Sequence, residues 1–375
     1  MNGGGFLTGV YIHIPFCNSK CPYCDFYSYR TTDSEKSEYV NRLTEEINTL
    51  HGIKEFVSSD ITADTIYLGG GTPSALSGEQ LFNIIECAKK KFNTPEDCEI
   101  TVECNPGSDI EEIAPYLKKA GVNRISLGMQ SAVDKERKAL GRTSGRERVI
   151  EVINIFKNIG ITNISLDVML GVPYQTKESL DETLKFCISS GATHISAYML
   201  KLEENTFFYK NQDKYVFPSE DEVCDMYIQC SETLAEAGFT HYEISNFALP
   251  NYESRHNTKY WILENYIGIG PSAHSFFDGK RFYYPNSTED FIKGTSALFD
   301  GNGGDFKEYI MLLLRLKKGI NLKEAERIYG SKAFEKIKNK APFLKEQGLV
   351  NFDNENISLT VSGFLLSNTI INEFI

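Results

Sequence analysis

No apolar run in this 375-residue chain approaches the length of a membrane span. The N-terminal MNGGGFLTG has neither the basic region nor the apolar core of a secretory signal. A basic excess is also missing. Lys and Arg number 39 against 51 Asp and Glu, a formal net charge of −12, so nothing favours nucleic acid or an anionic membrane surface as a partner. There is no low-complexity tract and no strict repeat of the solenoid kind. The cysteines are nine, an odd number without regular spacing, which argues against a disulfide framework. Six of them (Cys87, Cys98, Cys104, Cys187, Cys224 and Cys230) are scattered, and buried free thiols explain most of them. These absences lead us to expect a cytoplasmic protein, and 41% hydrophobic residues suffice for a large core spread over two or three domains.

The other three cysteines stand together. Cys17, Cys21 and Cys24 in HIPFCNSKCPYCDFY are spaced C-x3-C-x2-C and offer three thiolates from one loop. A closed structural metal site wants four ligands. Zinc would need a fourth, for which His13 in the strand-like YIHI is near enough in sequence. An iron-sulfur cluster on three cysteines would instead keep one iron free for a small molecule, so the missing ligand points to chemistry.

The first two hundred residues carry a rhythm of short β-rich runs at Val10–Ile14, Thr65–Leu68, Glu99–Val102, Arg124–Leu127, Asn163–Val168 and His194–Met199. Amphipathic segments separate them: Tyr39, Leu43, Ile47 and Leu50 share one helical face, as do Val149, Ile153, Phe156 and Ile159. Six strand-helix units predict parallel pairing with right-handed crossovers, an α/β sheet or open barrel whose ligands gather at the C-terminal strand ends. The polar motifs fall at those ends. The cysteine loop follows the first strand, Gly69-Gly70-Gly71-Thr72-Pro73 the second and Glu103-Cys104-Asn105-Pro106 the third; Gln130 follows the fourth, and Asp167 closes the fifth. Each motif also has a plain reading, as a strand-to-helix turn or a solvated strand end.

YIHIPFCNSKCPYCDF, YLGGGTPS, RISLGMQS and LDVMLGVP, in this order, resemble the radical S-adenosylmethionine (SAM) superfamily, specifically its group similar to oxygen-independent coproporphyrinogen III oxidase. The resemblance spans almost the whole chain. It implies a partial (β/α)6 radical-SAM barrel, and a 4Fe-4S cluster on Cys17, Cys21 and Cys24 whose open iron chelates the amino and carboxylate groups of SAM. Reduction then breaks a carbon-sulfur bond to give a 5'-deoxyadenosyl radical, which requires an electron donor. It further implies SAM contacts at Tyr11, Tyr23, Gly70, Gly71, Thr72, Glu103, Gln130, Arg142 and Asp167. Glycines let backbone approach the methionine end, carboxylates and amides suit ribose hydroxyls and ammonium, and Arg142 suits a carboxylate.

Two features divide the group. Its decarboxylases carry another cysteine two places after the third, where this chain has Phe26, and they have a longer segment before the motif. The run His256-Asn-Thr-Lys-Tyr260-Trp261 is similar to the HNxxYW signature of the heme-chaperone branch, which implies heme as a ligand, His256 as its candidate axial ligand, and heme-acceptor proteins as partners, a peripheral membrane protein among them. Tyr266-Ile-Gly-Ile-Gly270 through His274 is similar to another segment of the branch, with His274 the second choice for heme. The expected alternatives are oxidative decarboxylation of coproporphyrinogen III or another radical SAM reaction.

We expect the barrel over residues 1–215, an extension with the HNxxYW motif over 216–300, and a small winged-helix-like helical domain over 301–375. In the last, Phe306–Leu316, Leu322–Tyr329 and Ala333–Gln347 read as helices, Gly348 as a stop, and Leu349–Phe352 with Ile357–Leu359 as a hairpin. Its Lys and Arg are interleaved with Glu, which favours a lid or partner-docking role over DNA binding.

Overall fold

Alternation of aliphatic and polar residues builds the central layer. The computed structural model describes residues 7–57, 61–353 and 355–375. Strands β1 (Leu7–Ile14), β2 (Thr62–Gly70), β3 (Glu99–Cys104), β4 (Arg124–Gln130), β5 (Asn163–Leu170) and β6 (His194–Met199) pair parallel, each with the next in chain order. The helices Asp33–Thr49, Gly78–Lys91, Ile110–Ala120, Arg146–Asn158 and Lys177–Ser189 fill the crossovers. Several start on side-chain caps, including Thr32, Ser77 with Gln80, and Asp109, which satisfy amides that the helix leaves without partners.

Every second strand residue faces those helices and is a buried aliphatic: Val10, Ile12 and Ile14, Ile66 and Leu68, Ile125 and Leu127, Ile164, Leu166 and Val168. Residues in the opposite phase face the interior of the curved sheet and are mostly polar, among them Tyr11, Tyr67, Glu103, Arg124, Ser126, Asp167 and His194. Closed (β/α)8 barrels fill that space with branched aliphatics. This barrel has a polar lumen.

The sheet extends past both edges of the six strands. On β6 lie the antiparallel β8 (Asn246–Ala248) and β7 (Thr240–Glu243). On β1 lies β9 (Tyr266–Ile269), parallel to it, followed by the antiparallel β10 (His274–Phe277), β11 (Lys280–Tyr283) and β12 (Leu298–Asn302). The result is one sheet of twelve strands, so much of 216–300 is hydrogen-bonded into the barrel's own sheet.

To reach β9 from β8 the chain must cross from one edge to the other. It does so beneath the N-terminal strand ends. Leu249 N–H bonds Thr193 O, the helix Arg255–Trp261 sits under β2 and β3, and Asn265 O accepts from Gly9 N–H. The HNTKYW run is therefore a helix, forming a strap across the floor of the barrel.

After β12 come the helices Phe306–Leu313, Leu322–Tyr329 and Glu335–Glu346, a three-stranded sheet of Ile320–Asn321, Val350–Phe352 and Asn356–Leu359, and two short terminal helices. Gly348, at φ 72°, ends the third of these helices. The unit is tied to the barrel by Arg281 with Glu308 and by Lys317 N–H to Tyr242 O.

Candidate functional site

The C-terminal strand ends form one rim. The cysteine loop leaves β1 there and is pinned on two sides. Cys17 N–H bonds Tyr29 O, and Phe208 N–H bonds Pro22 O. His13, at the end of β1, is buried. Its Nε2 meets Tyr27 O at 3.0 Å and its Nδ1 meets the Tyr11 hydroxyl at 3.0 Å. Burial holds that imidazole neutral, with a pKa lowered to about 4, and neither nitrogen remains for a metal in the loop.

Cys17, Cys21 and Cys24 are free, partly exposed thiols. Among the described residues no three His, Cys, Asp or Glu side chains converge as a single-ion site requires. A four-iron cluster sets no such requirement, because each thiolate bonds a different iron. The donor set fits a cluster: three soft thiols on one loop, one of them within 3.3 Å of a hydroxyl, Thr72 Oγ1.

The glycine turn is shaped by its neighbours. Gly70 has φ 110°, and a Cβ on it would fall 2.5 Å from the His13 ring. A Cβ on Gly71 would fall 2.7 Å from Phe16 O. Only glycine brings this backbone so close to the cysteine loop. Thr72 N–H then bonds Phe16 O, which closes the turn on the loop.

The remaining rim residues come from β3, β4 and β5. Glu103 accepts from the Tyr67 hydroxyl at 2.7 Å and from Gly70 N–H at 3.2 Å. Enclosure in the barrel pushes its pKa up to about 7, with the Tyr67 bond pulling the other way. Asp167 accepts from Ser126 Oγ at 3.1 Å and is likewise raised by burial, to about 6. Gln130 has φ 73° and follows a register shift in β4. Gly128 beside it has both the Gln130 amide and the Arg142 guanidinium within 3.5 Å of where a Cβ would lie. Arg142 donates to the Tyr23 hydroxyl at 2.6 Å, while its Nε is buried without a partner among the described residues. An orphaned guanidinium N–H beside carboxyl and amide groups suits a zwitterionic ligand such as SAM. The fold thus brings Tyr11, Tyr23, Gly70, Gly71, Thr72, Glu103, Gln130, Arg142 and Asp167 to one end with the cysteines.

His256 lies elsewhere. It is fully buried in the floor strap, with Nδ1 at 2.8 Å from Thr65 Oγ1 and Nε2 at 2.8 Å from the Tyr260 hydroxyl. Burial, reinforced by the Lys259 charge, lowers its pKa to about 3. Both nitrogens are taken, so His256 presents no free ligand atom at the surface. His274, at the start of β10, is exposed and stacks on Tyr283 with centroids 5.1 Å apart. Phe26 is 70% exposed beside the cysteines. Tyr67 was not among the candidate residues. The period-two pattern Thr65, Tyr67, Gly69 would have placed it on the inward face.

Residues 11–187 match the radical SAM superfamily and residues 306–366 the HemN C-terminal domain. The chain is 34% identical to the heme chaperone HemW of Lactococcus lactis, over 98% of this chain and 97% of that protein. It is 33% identical to the heme chaperone HemW of Bacillus subtilis, over 98% and 99%. Among solved structures, coproporphyrinogen III oxidase (HemN) from Escherichia coli, a radical SAM enzyme, shares the fold with a TM-score of 0.83 at 23% identity, over 99% of this chain and 90% of that one.

Proposed function

The chain belongs to the HemW family of heme chaperones within the radical SAM superfamily, and from this we propose that it binds heme and passes it to acceptor proteins in the cytoplasm. In this reading Cys17, Cys21 and Cys24 would hold a 4Fe-4S cluster, and Gly70, Gly71, Thr72, Arg142 and Asp167 would bind SAM. When bound, the cluster supplies one-electron chemistry at its open iron. The protein's own residues orient and enclose. Arg142 meets a carboxylate, Glu103 and Asp167 meet ammonium or ribose groups, and the neutral His13 fixes the loop. An electron donor and acceptors that include peripheral membrane proteins complete the proposal. Among the described residues no helix is long and apolar enough to cross a membrane.

The observation that carries the reading is full-length similarity to heme chaperones at above 30% identity. For the heme iron, the geometry favours His274 over His256, since His274 is exposed and His256 has no free nitrogen. Heme titration of the full-length protein, followed by Soret absorbance, is the test. Saturable binding that weakens at least about tenfold in His274→Ala is expected, as for loss of an interaction of about 1.4 kcal/mol. Absence of saturable binding in the wild type sinks the chaperone reading.

A second reading is oxidative decarboxylation of coproporphyrinogen III, favoured by the shared fold with the HemN oxidase. Anaerobic incubation with SAM, a reductant and coproporphyrinogen III decides between the two. The expected outcome is no protoporphyrinogen IX.

A further inference from the structure

The Glu103 carboxyl faces the rim, yet one of its two hydrogen bonds is anchored in the floor. Tyr67 donates its hydroxyl to Glu103 Oε1 at 2.7 Å. Its ring stacks on the His256 imidazole, with centroids 5.2 Å apart and planes inclined by 27°. His256 in turn is held by Thr65 and Tyr260 at its two nitrogens, and its main-chain N–H donates to Glu99 Oε1 at 3.0 Å. Gly69 keeps the upper contact clear. A Cβ there would lie 2.8 Å from Tyr67 Cε1 and 2.9 Å from Glu103 Oε1. Tyr67 is thus gripped at both ends, by the imidazole of the strap below and the carboxyl of the rim above.

We propose that Tyr67 is a positioning residue of the SAM site: braced on His256, it fixes the Glu103 carboxyl for its cofactor contact, so that the floor helix Arg255–Trp261 sets SAM affinity at the opposite end of the barrel. The proposal rests on the reading of Glu103 as a SAM contact. A glutamate side chain that must order itself on binding loses rotamer freedom at that step, and one already held by Tyr67 and Gly70 does not. The HNxxYW run acquires a role that needs no metal-ligand bond from its histidine. It is the footing of a strut that ends on the cofactor.

The experiment measures equilibrium SAM binding to the anaerobically reconstituted full-length protein in the wild type, Tyr67→Phe, Glu103→Ala and the double variant. Tyr67→Phe keeps the ring and its stack and removes only the donor. It is expected to weaken SAM binding at least about tenfold, the lower bound for one hydrogen bond to a charged group. In the Glu103→Ala background, where the acceptor is gone, the same change should cost less than about twofold. Wild-type affinity in Tyr67→Phe, or a loss that persists undiminished in Glu103→Ala, overturns the strut. If Glu103→Ala itself binds SAM as the wild type does, the reading of Glu103 as a contact falls, and the strut with it. If Glu103→Ala weakens binding while Tyr67→Phe does not, the contact stands and the strut alone falls. His256→Ala removes the brace and should also weaken SAM binding, whereas His256→Phe restores a ring under Tyr67 and should recover most of the affinity. Equal loss in both would show that the stack carries nothing.

Discussion

At the scale of single residues, the rim depends on atoms that are absent. Gly70 combines a positive φ with a His13 ring where a side chain would begin. Gly70→Ala should therefore destabilise the protein by about 1–3 kcal/mol from the backbone alone, and further through the displaced imidazole. Urea unfolding of the purified variant measures the first effect, and a drop in SAM affinity the second. An alanine variant as stable as the wild type would mean that the turn relaxes freely. This glycine was legible in the sequence, because GGGTP after a strand is a turn signal at a known barrel end. Tyr67 was not. Its neighbours Leu68 and Gly69 read as strand and turn, and nothing local says that a hydroxyl on β2 meets a carboxyl on β3. His256 was noticed through its similarity to the HNxxYW signature, yet of its partners only Tyr260 lies in that run; Thr65 and Glu99 come from β2 and β3 and meet it only when the chain has folded.

At the scale of elements, strongly patterned segments were readable and short ones were not. The six parallel strands lie where alternation of aliphatic and polar residues placed them, and five of them extend a few residues further. Edge strands of three to five residues, such as Asn246–Ala248 and Leu298–Asn302, are too short to show a period, and their pairing is set by the sheet they join. The HNTKYW helix is of the same kind. At seven residues it has little intrinsic stability and borrows its start from outside. Glu99 accepts from the amides of Arg255 and His256, both at 3.0 Å, and Ser254 Oγ accepts from Asn257 N–H. Glu99→Ala leaves one buried and one part-buried amide without acceptors and should cost about 2–3 kcal/mol. Chemical unfolding reads the loss, and faster amide exchange over 255–261 than over the barrel strands would assign it to this helix. Uniform exchange across the chain would contradict the capping role.

At the scale of the whole molecule, buried titratable groups tie stability to pH in two opposing directions. His13, His194, His241 and His256 are held neutral by burial, at about 4 for His13 and His241, about 3 for His256 and well below the usual value for His194. Their stability is present above the unfolded value near 6.5 and is lost as pH falls from there toward the folded values. Burial raises Glu103 and Glu243 to about 7 and Asp167 to about 6, so their stability is present at low pH and is lost as pH rises toward the folded values. Between about pH 5 and 6.5 the two sets largely offset each other. Glu243 is fully buried, and its Oε2 has no partner among the described residues. Glu243→Gln removes one member of the second set and should make the unfolding free energy rise more steeply with pH in that window, by about 1.4 kcal/mol per unit. Unfolding curves of both proteins across the window provide the comparison; parallel slopes would mean that Glu243 is ionised in the fold. The strap beneath the strands has one more consequence. With that end covered by residues 249–265, whatever enters the lumen along the barrel axis passes the cysteine loop first.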